Sequence, residues 1–337
     1  MIPVLLALLI DVTNIHDSGP GSLRAAIEQA NAVCVAEDCA IKFQQLPAGS
    51  VIEPLAPLPP LTSCRTTIDA DLRVTLSGAR AGSGSGLVVH CGAVHDLAIT
   101  GFTEDGIRVL GPATIQESRL TANGLRGVSV VAPGATVLIR QSELSGNVRS
   151  GLFAWDAELV SVTQSKLNGN GASGAYARVG KLDIVNSEVQ SNREFGVALD
   201  RGVANGYLHN NRIEGNVGLP IDWHLDGPTP NDSGELDRVP NAPVLGSVRY
   251  DPQQRETFFT GIQTGNATNW GVLVTYRVDL YLDGEYVASY SLPEQQGEFI
   301  FPLEFRLLGD HTGRRVNMVT QVRRQNDVER WLTSEMR

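Results

Sequence analysis

Four side chains at matched positions suggest chemistry. Phe153 and Trp155 stand two and four residues after Gly151, and Tyr176 and Arg178 stand two and four residues after Gly174. Aromatic rings on neighbouring segments offer flat apolar faces with polar edges, the kind of surface on which a sugar ring stacks. A guanidinium pairs with a carboxylate through two parallel hydrogen bonds, so Arg178, with Asp200 nearby, suits a uronic acid. Phe153, Trp155, Tyr176 and Arg178 are therefore the candidate substrate-binding set. The plain alternative is that these side chains pack against a loop or the C-terminal region.

Catalysis asks for more. Glycoside hydrolysis needs two carboxylates facing each other across the bond, and Asp156, Asp200 and Asp222 are available. A β-eliminating lyase needs a base beside the cation that holds the uronate, a role open to Arg178, or to His224 as a general acid or base. The candidate catalytic set is Arg178, Asp200, Asp222 and His224. Further on, Asp222, Asp226, Asn231, Asp232, Glu235 and Asp237 crowd oxygen atoms into one loop, and Asp222, Asp226, Asn231, Asp232 and Asp237 are the candidate calcium ligands. Their spacing is not that of an EF-hand, and Asx residues in Gly/Pro loops also serve as turn formers. Calcium is the one cofactor these residues suggest; none is required. His16, His90, His95, His209 and His311 are scattered and read as structural.

The elements that carry these residues repeat. A glycine followed by an alternating apolar run occurs at Gly86, Gly106, Gly127, Gly151, Gly174 and Gly196, at intervals of 20, 21, 24, 23 and 22 residues. Asn123, Asn147, Asn170, Asn192 and Asn216 form a second series in step with it. An apolar residue precedes each asparagine by three (Leu120, Leu144, Leu167, Val189, Ile213), and another lies five earlier (Ile115, Ile139, Val162, Ile184, Leu208). Internal repetition at this period marks a solenoid. No copy holds a helical run of about ten residues, so short strands joined by tight turns remain, one coil of a parallel β-helix per copy. Ile107, Val128, Leu152, Ala175 and Val197 then fall in one internal column. Arg108, Ser129, Phe153, Tyr176 and Ala198 form an outward row, and Leu110, Val131, Trp155, Arg178, Asp200 and then Asp222 near the closing loop a second. The asparagines suit turns, where the side chain bonds the backbone of the next coil.

Composition sets the outer limits. The 337 residues carry 35 glycines, 6% aromatic and 19% charged residues, which fits a turn-rich all-β protein. A net charge of −10 without a basic stripe argues against nucleic acid. The opening MIPVLLALLI is too short to cross a bilayer. It reads either as the remnant of a signal or as the approach to a first strand from about Leu8. Of the four cysteines, Cys34 and Cys39 bracket a short loop, and Cys64 and Cys91 lie about one coil apart. Two disulfides in an exported protein are expected.

Ser22 is placed to cap a short helix with Leu23, Ala26, Ile27 and Ala30 on its apolar face. Such a helix covers the open end of a solenoid. The segment VTNIHDSGPGSLRAAIEQANA, followed by IKFQQLP, VIEPLAPLPPLT and TTIDA, closely resembles the opening of bacterial secreted and cell-surface proteins with a right-handed parallel β-helix of the pectate-lyase-like fold. GNVGLPIDWHLDGPTPNDSGELD, NAPVL and WLTSEMR resemble the end of that helix, the linker after it and the end of a β-sandwich. The resemblance implies an N-terminal cap over 1–40, a β-helix over 41–240, and a sandwich over 243–337 whose period-2 strands turn at Asp283-Gly284. It also implies right-handedness, export, and a polysaccharide groove along one outer sheet. Fold alone does not supply an activity. The leading expectation is an exported protein that binds polysaccharide or another cell-surface glycan. A polysaccharide lyase or hydrolase and a structural or adhesion spacer are the alternatives.

Overall fold

The computed structural model describes residues 7–227, 231, 240–266, 274–293, 295, 298–324 and 331–334. From residue 8 to residue 223 the chain winds through coils with three parallel faces. The first face stacks the strands Leu87–Val89, Ile107–Val109 and Val128–Val131, the opening parts of Leu152–Thr163, Ala175–Val185 and Val197–His209, and then Ile221–Trp223. The second runs from Leu8–Asp11 through Cys39–Lys42, Thr66–Asp69, Gly92–His95, Ala113–Gln116 and Thr136–Arg140 into the closing parts of the same three long strands. The third includes Ser50–Ile52, Val74–Ser77, Ala98–Thr100, Arg119–Thr121, Glu188–Gln190 and Arg212–Glu214.

The predicted internal column is in register. Leu87, Ile107, Val128, Leu152, Ala175, Val197 and Ile221 are successive ladder partners, and all are buried. Alternation sends every second side chain into the rod, so one apolar core runs its whole length. The chain turns from second face to third at Asp96, Glu117, Gln141, Gln164, Asn186 and Asn210, each with φ between 49° and 55°. Polar residues are the natural occupants of these left-handed positions when glycine is not used.

The helix Leu23–Val33 forms where Ser22 caps it, the Ser22 hydroxyl accepting from Ala25 N at 3.2 Å. Leu23, Ala26, Ile27 and Ala30 are buried in the core of the rod. Both disulfides join the expected partners, Cys34 to Cys39 and Cys64 to Cys91, with Cα atoms 5.9 and 4.6 Å apart.

At the other end two antiparallel sheets pack together. One holds Val244–Asp251, Glu256–Asn266 and Glu298–Leu308; the other holds Val274–Leu282, Glu285–Ser291, Val316–Arg324 and Trp331–Thr333. Asp283 and Gly284 turn the hairpin with φ of 51° and 83°, the left-handed pair expected from the sequence. These sheets close the last coil of the rod. Thr333 Oγ1 accepts from Leu208 N at 2.9 Å, Gln321 Nε2 donates to Leu208 O at 2.6 Å, and Trp223 Nε1 donates to Thr333 O at 2.8 Å. Tyr281 and Val319 belong to the rod's own core.

Candidate functional site

The site lies on the first face, where the alternation that buries Leu152 and Ala154 turns Phe153 outward. Ladder pairing puts Arg108, Ser129, Phe153, Tyr176, Ala198 and Asp222 in one outward row. Phe153 and Tyr176 stack with ring centroids 5.5 Å apart and planes at 30°. Trp155 meets Phe153 edge-on at 6.4 Å and is 41% exposed.

The second outward row differs from expectation, and Asp222, expected at its end, pairs with Ala198 in the first row instead. Trp155 pairs with Val179 rather than Arg178, because Arg178 is an extra residue in a bulge. Asp200 and Arg201 likewise stand outside the ladder, since Ala177 pairs with Leu199 and Val179 with Gly202. Long side chains restore the contacts that register alone does not give. The Arg178 guanidinium carbon lies 4.7 Å above the Trp155 ring, and Arg178 Nε lies 4.0 Å from Asp200 Oδ2. The Tyr176 hydroxyl donates to the same carboxylate at 3.1 Å. Desolvation, and then the Asp200 charge, hold the Tyr176 phenol above its ordinary pKa, so it remains a donor at neutral pH.

Two arginines belong to this site that the outward rows do not reveal. The Arg126 guanidinium covers the other face of Phe153 at 4.3 Å. Its Nη1 lies 3.6 Å from Asp105 Oδ1, a carboxylate 3% exposed. Burial pushes the Asp105 carboxyl above its ordinary pKa, with Arg126 pulling the other way. Arg149 lines a cleft of about 270 Å³ together with Arg126, Phe153, Tyr176, Ala198 and Leu225. The signal for both is a column two or one residues before each repeat glycine, which holds Arg149 and Arg126 in neighbouring coils.

The other candidates are dispersed. Asp222 is fully buried. His224 takes a left-handed φ of 66°, and its one ring contact among the described residues is edge-on to Trp223 at 6.2 Å. Asp156 is exposed at φ 62°. Of the candidate calcium ligands, Asp226 meets Arg201 at 3.3 Å, and the Asn231 side chain bonds both N and O of Ala242. Asp232 and Asp237 lie outside the described residues. Among the described residues no group of three acidic, His or Cys side chains is placed to hold a metal. A larger groove of about 550 Å³ crosses the second face over Ala40, Thr67, Ala93 and Thr114, and no aromatic ring lines it. Of these two clefts, the one on the first face is lined by both rings and guanidinium groups.

No helix among the described residues is long and apolar enough to cross a membrane. None of the curated proteins compared matches the chain significantly. Several solved structures match parts of the chain or all of it at low identity and low TM-score. Pectate lyase Pel9A is 14% identical over 66% of this chain and 73% of its own, with a TM-score of 0.37. Tailspike gp49 of Acinetobacter baumannii bacteriophage Fri1, a capsular polysaccharide depolymerase, is 11% identical over 97% and 86%, with a TM-score of 0.32. The Azotobacter vinelandii mannuronan C-5 epimerase AlgE4 A-module is 14% identical over 64% and 92%, with a TM-score of 0.27. Likenesses of this size say nothing of what the chain binds. Residues 83–227, which hold every ring and guanidinium of the site, match the family model described as "Right handed beta helix region", and the fold of the coils is a right-handed parallel β-helix.

Proposed function

We propose that this protein binds polysaccharide through the first face of its β-helix, with Phe153, Trp155, Tyr176 and Arg178 as the contact surface. The observation that carries this reading is the open, guanidinium-backed Trp155 ring. The C-terminal sheets dock around Leu208, Ile213 and Trp223, away from the rings, which supports a ring face left open to a ligand. Arg178 and Asp200 at the edge of the rings suit the carboxylate and hydroxyls of an acidic sugar. Two disulfides support an exported setting, in which a surface glycan is the natural partner.

Cleavage is the weaker reading. Of the carboxylates on this face, Asp222 is withdrawn from solvent, and Asp200 already accepts from Tyr176 and from Arg201 N. Hydrolysis would need a second carboxylate facing it across the bond.

Trp155→Ala tests the proposal. The side chain is on the surface, so stability should change by less than about 0.5 kcal/mol. Loss of a stacked ring worth about 0.5–1.5 kcal/mol should weaken retention on a polysaccharide panel by roughly 2- to 12-fold. The panel should hold anionic and neutral polymers, each with calcium and with chelator, and be followed for new chain ends. Unchanged retention on every polymer that binds the wild type would remove the ring surface from function.

A further inference from the structure

The cleft of about 270 Å³ runs beside the ring row, from Arg126 to Glu194. Phe153 and Tyr176 form its inner wall. Its outer wall is a column at the corner before the first face. Arg149 N donates to Leu125 O at 2.7 Å, Ala172 N to Arg149 O at 3.0 Å, and Glu194 N to Ala172 O at 3.1 Å, so these residues stand in register in successive coils. Ala172 is the short side chain between two long ones, and all three line the cleft. Trp155 and Arg178, two residues further along their strands than the rings, are not part of the lining.

The guanidinium groups around the rings differ in what already occupies them. Arg126 lies on the Phe153 ring at 4.3 Å and meets Asp105 at 3.6 Å. Arg178 lies on Trp155 at 4.7 Å and approaches Asp200 at 4.0 Å. Arg149 is exposed, and its side chain has no ion pair or hydrogen bond among the described residues. Its fork of donors matches the two oxygens of a carboxylate. Glu194, also exposed, stands two coils further on, about 10 Å along the rod, where physiological salt screens most of its repulsion for an anion held by Arg149. A carboxylate at that end accepts from hydroxyl groups.

We infer that Arg149 sets the specificity of this face for acidic glycans: it takes the carboxylate of a sugar seated in the cleft against Tyr176, with Glu194 accepting from hydroxyls further along the chain. The inference rests on the polysaccharide reading above and adds the class of sugar and the residue that selects it.

The test compares charge with chain. Binding of polygalacturonate and alginate is measured by affinity electrophoresis, each in native form and after carboxyl reduction, which keeps the polymer and removes its charge. Wild-type protein should prefer the native forms. Arg149→Gln should lower that preference by roughly 10-fold or more and leave the reduced forms bound as before. Arg149→Lys should fall between, because an ammonium keeps the charge without the fork. Arg140→Gln removes an exposed arginine from the second face and should change nothing. Equal losses in Arg149→Gln and Arg140→Gln, a preference that survives Arg149→Gln, or wild-type protein that binds reduced and native forms alike would each overturn the role of Arg149 while leaving polysaccharide binding intact. Failure to bind any of the four polymers would overturn both.

Discussion

Asp105 is the most burdened side chain at the candidate site. It is 3% exposed, its nearest cation is 3.6 Å away, and burial raises its pKa from 3.8 despite Arg126. The folded chain therefore holds this proton more tightly than the unfolded chain does. The favourable contribution of the protonated form is complete below pH 3.8 and is lost as pH rises through the raised folded value. Asp105→Asn removes that loss. Its stability relative to wild type should be flat below pH 3.8 and should climb above it in chemical unfolding at a series of pH values. A relative stability that falls with rising pH would mean that the Arg126 pair outweighs burial. At this scale the sequence was informative where alternation sets side-chain direction: Phe153 and Tyr176 follow their glycines by two, and both point outward. It holds Arg126 and Arg149 one and two residues before their repeat glycines, but at a corner, where strand alternation does not say which side chain turns towards the site. It misaligned Trp155 and Arg178, because a bulge changes the residue count on one strand only. The Arg178–Asp200 approach survived that error because the side chains are long enough to span it.

At the scale of the element, two ladders of polar side chains hold successive coils in step. Each asparagine in the turn before the first face is wired to the next. Asn170 Nδ2 donates to Leu144 O and Asn192 Oδ1, both at 3.0 Å, and its Oδ1 accepts from Asn147 N at 3.1 Å and Asn147 Nδ2 at 3.2 Å. The repeat glycines are explained by the same ladder. A Cβ on Gly151 would come within 2.8 Å of Gly174 O and 2.9 Å of Asn170 Nδ2, so only glycine lets the first face start against the asparagine row. Asn170→Ala would strand Asn147 N–H and Leu144 O and take one hydrogen bond each from Asn147 Nδ2 and Asn192 Oδ1, and should cost about 2–4 kcal/mol in urea unfolding. Asn216 is half-buried at the end of the row, where water can replace what is lost, so Asn216→Ala should cost about 1 kcal/mol. Equal costs would show that the ladder does not act through burial. The asparagine ladder was plain from spacing alone. The second ladder was not: Ser118, Ser142, Ser165 and Ser187 each bond the backbone N–H of the preceding coil, and Asn211 ends the series. Each stands five residues before a ladder asparagine, yet serine is common in such turns and its alignment carries no distinctive signal.

At the scale of the whole molecule, a stack of parallel coils is stable only if both of its ends are covered, since an exposed strand edge invites further pairing. The capping helix at the start was legible from Ser22 and the spacing of Leu23, Ala26, Ile27 and Ala30. The closure at the far end was not, because its contacts join residues 110 to 125 positions apart. Period-2 strands and an Asp-Gly turn predicted a sandwich, and only the fold shows it capping the rod. The hairpin at Gly284 accepts from Ile213 N at 3.3 Å, and Arg212 and Arg315 reach Glu285 and Glu214 across the same seam. With Tyr281 and Val319 in the rod's core, the two parts share apolar burial as well as hydrogen bonds. Rod and sheets should therefore unfold in a single transition in urea, seen alike by tryptophan fluorescence and far-ultraviolet circular dichroism. Gln321→Ala leaves Leu208 O unsatisfied inside the seam and should lower that one midpoint, at a cost of about 1–3 kcal/mol. Two separate transitions in the wild type, or a Gln321→Ala change confined to one probe, would mean that the sheets are attached to the rod without sealing it.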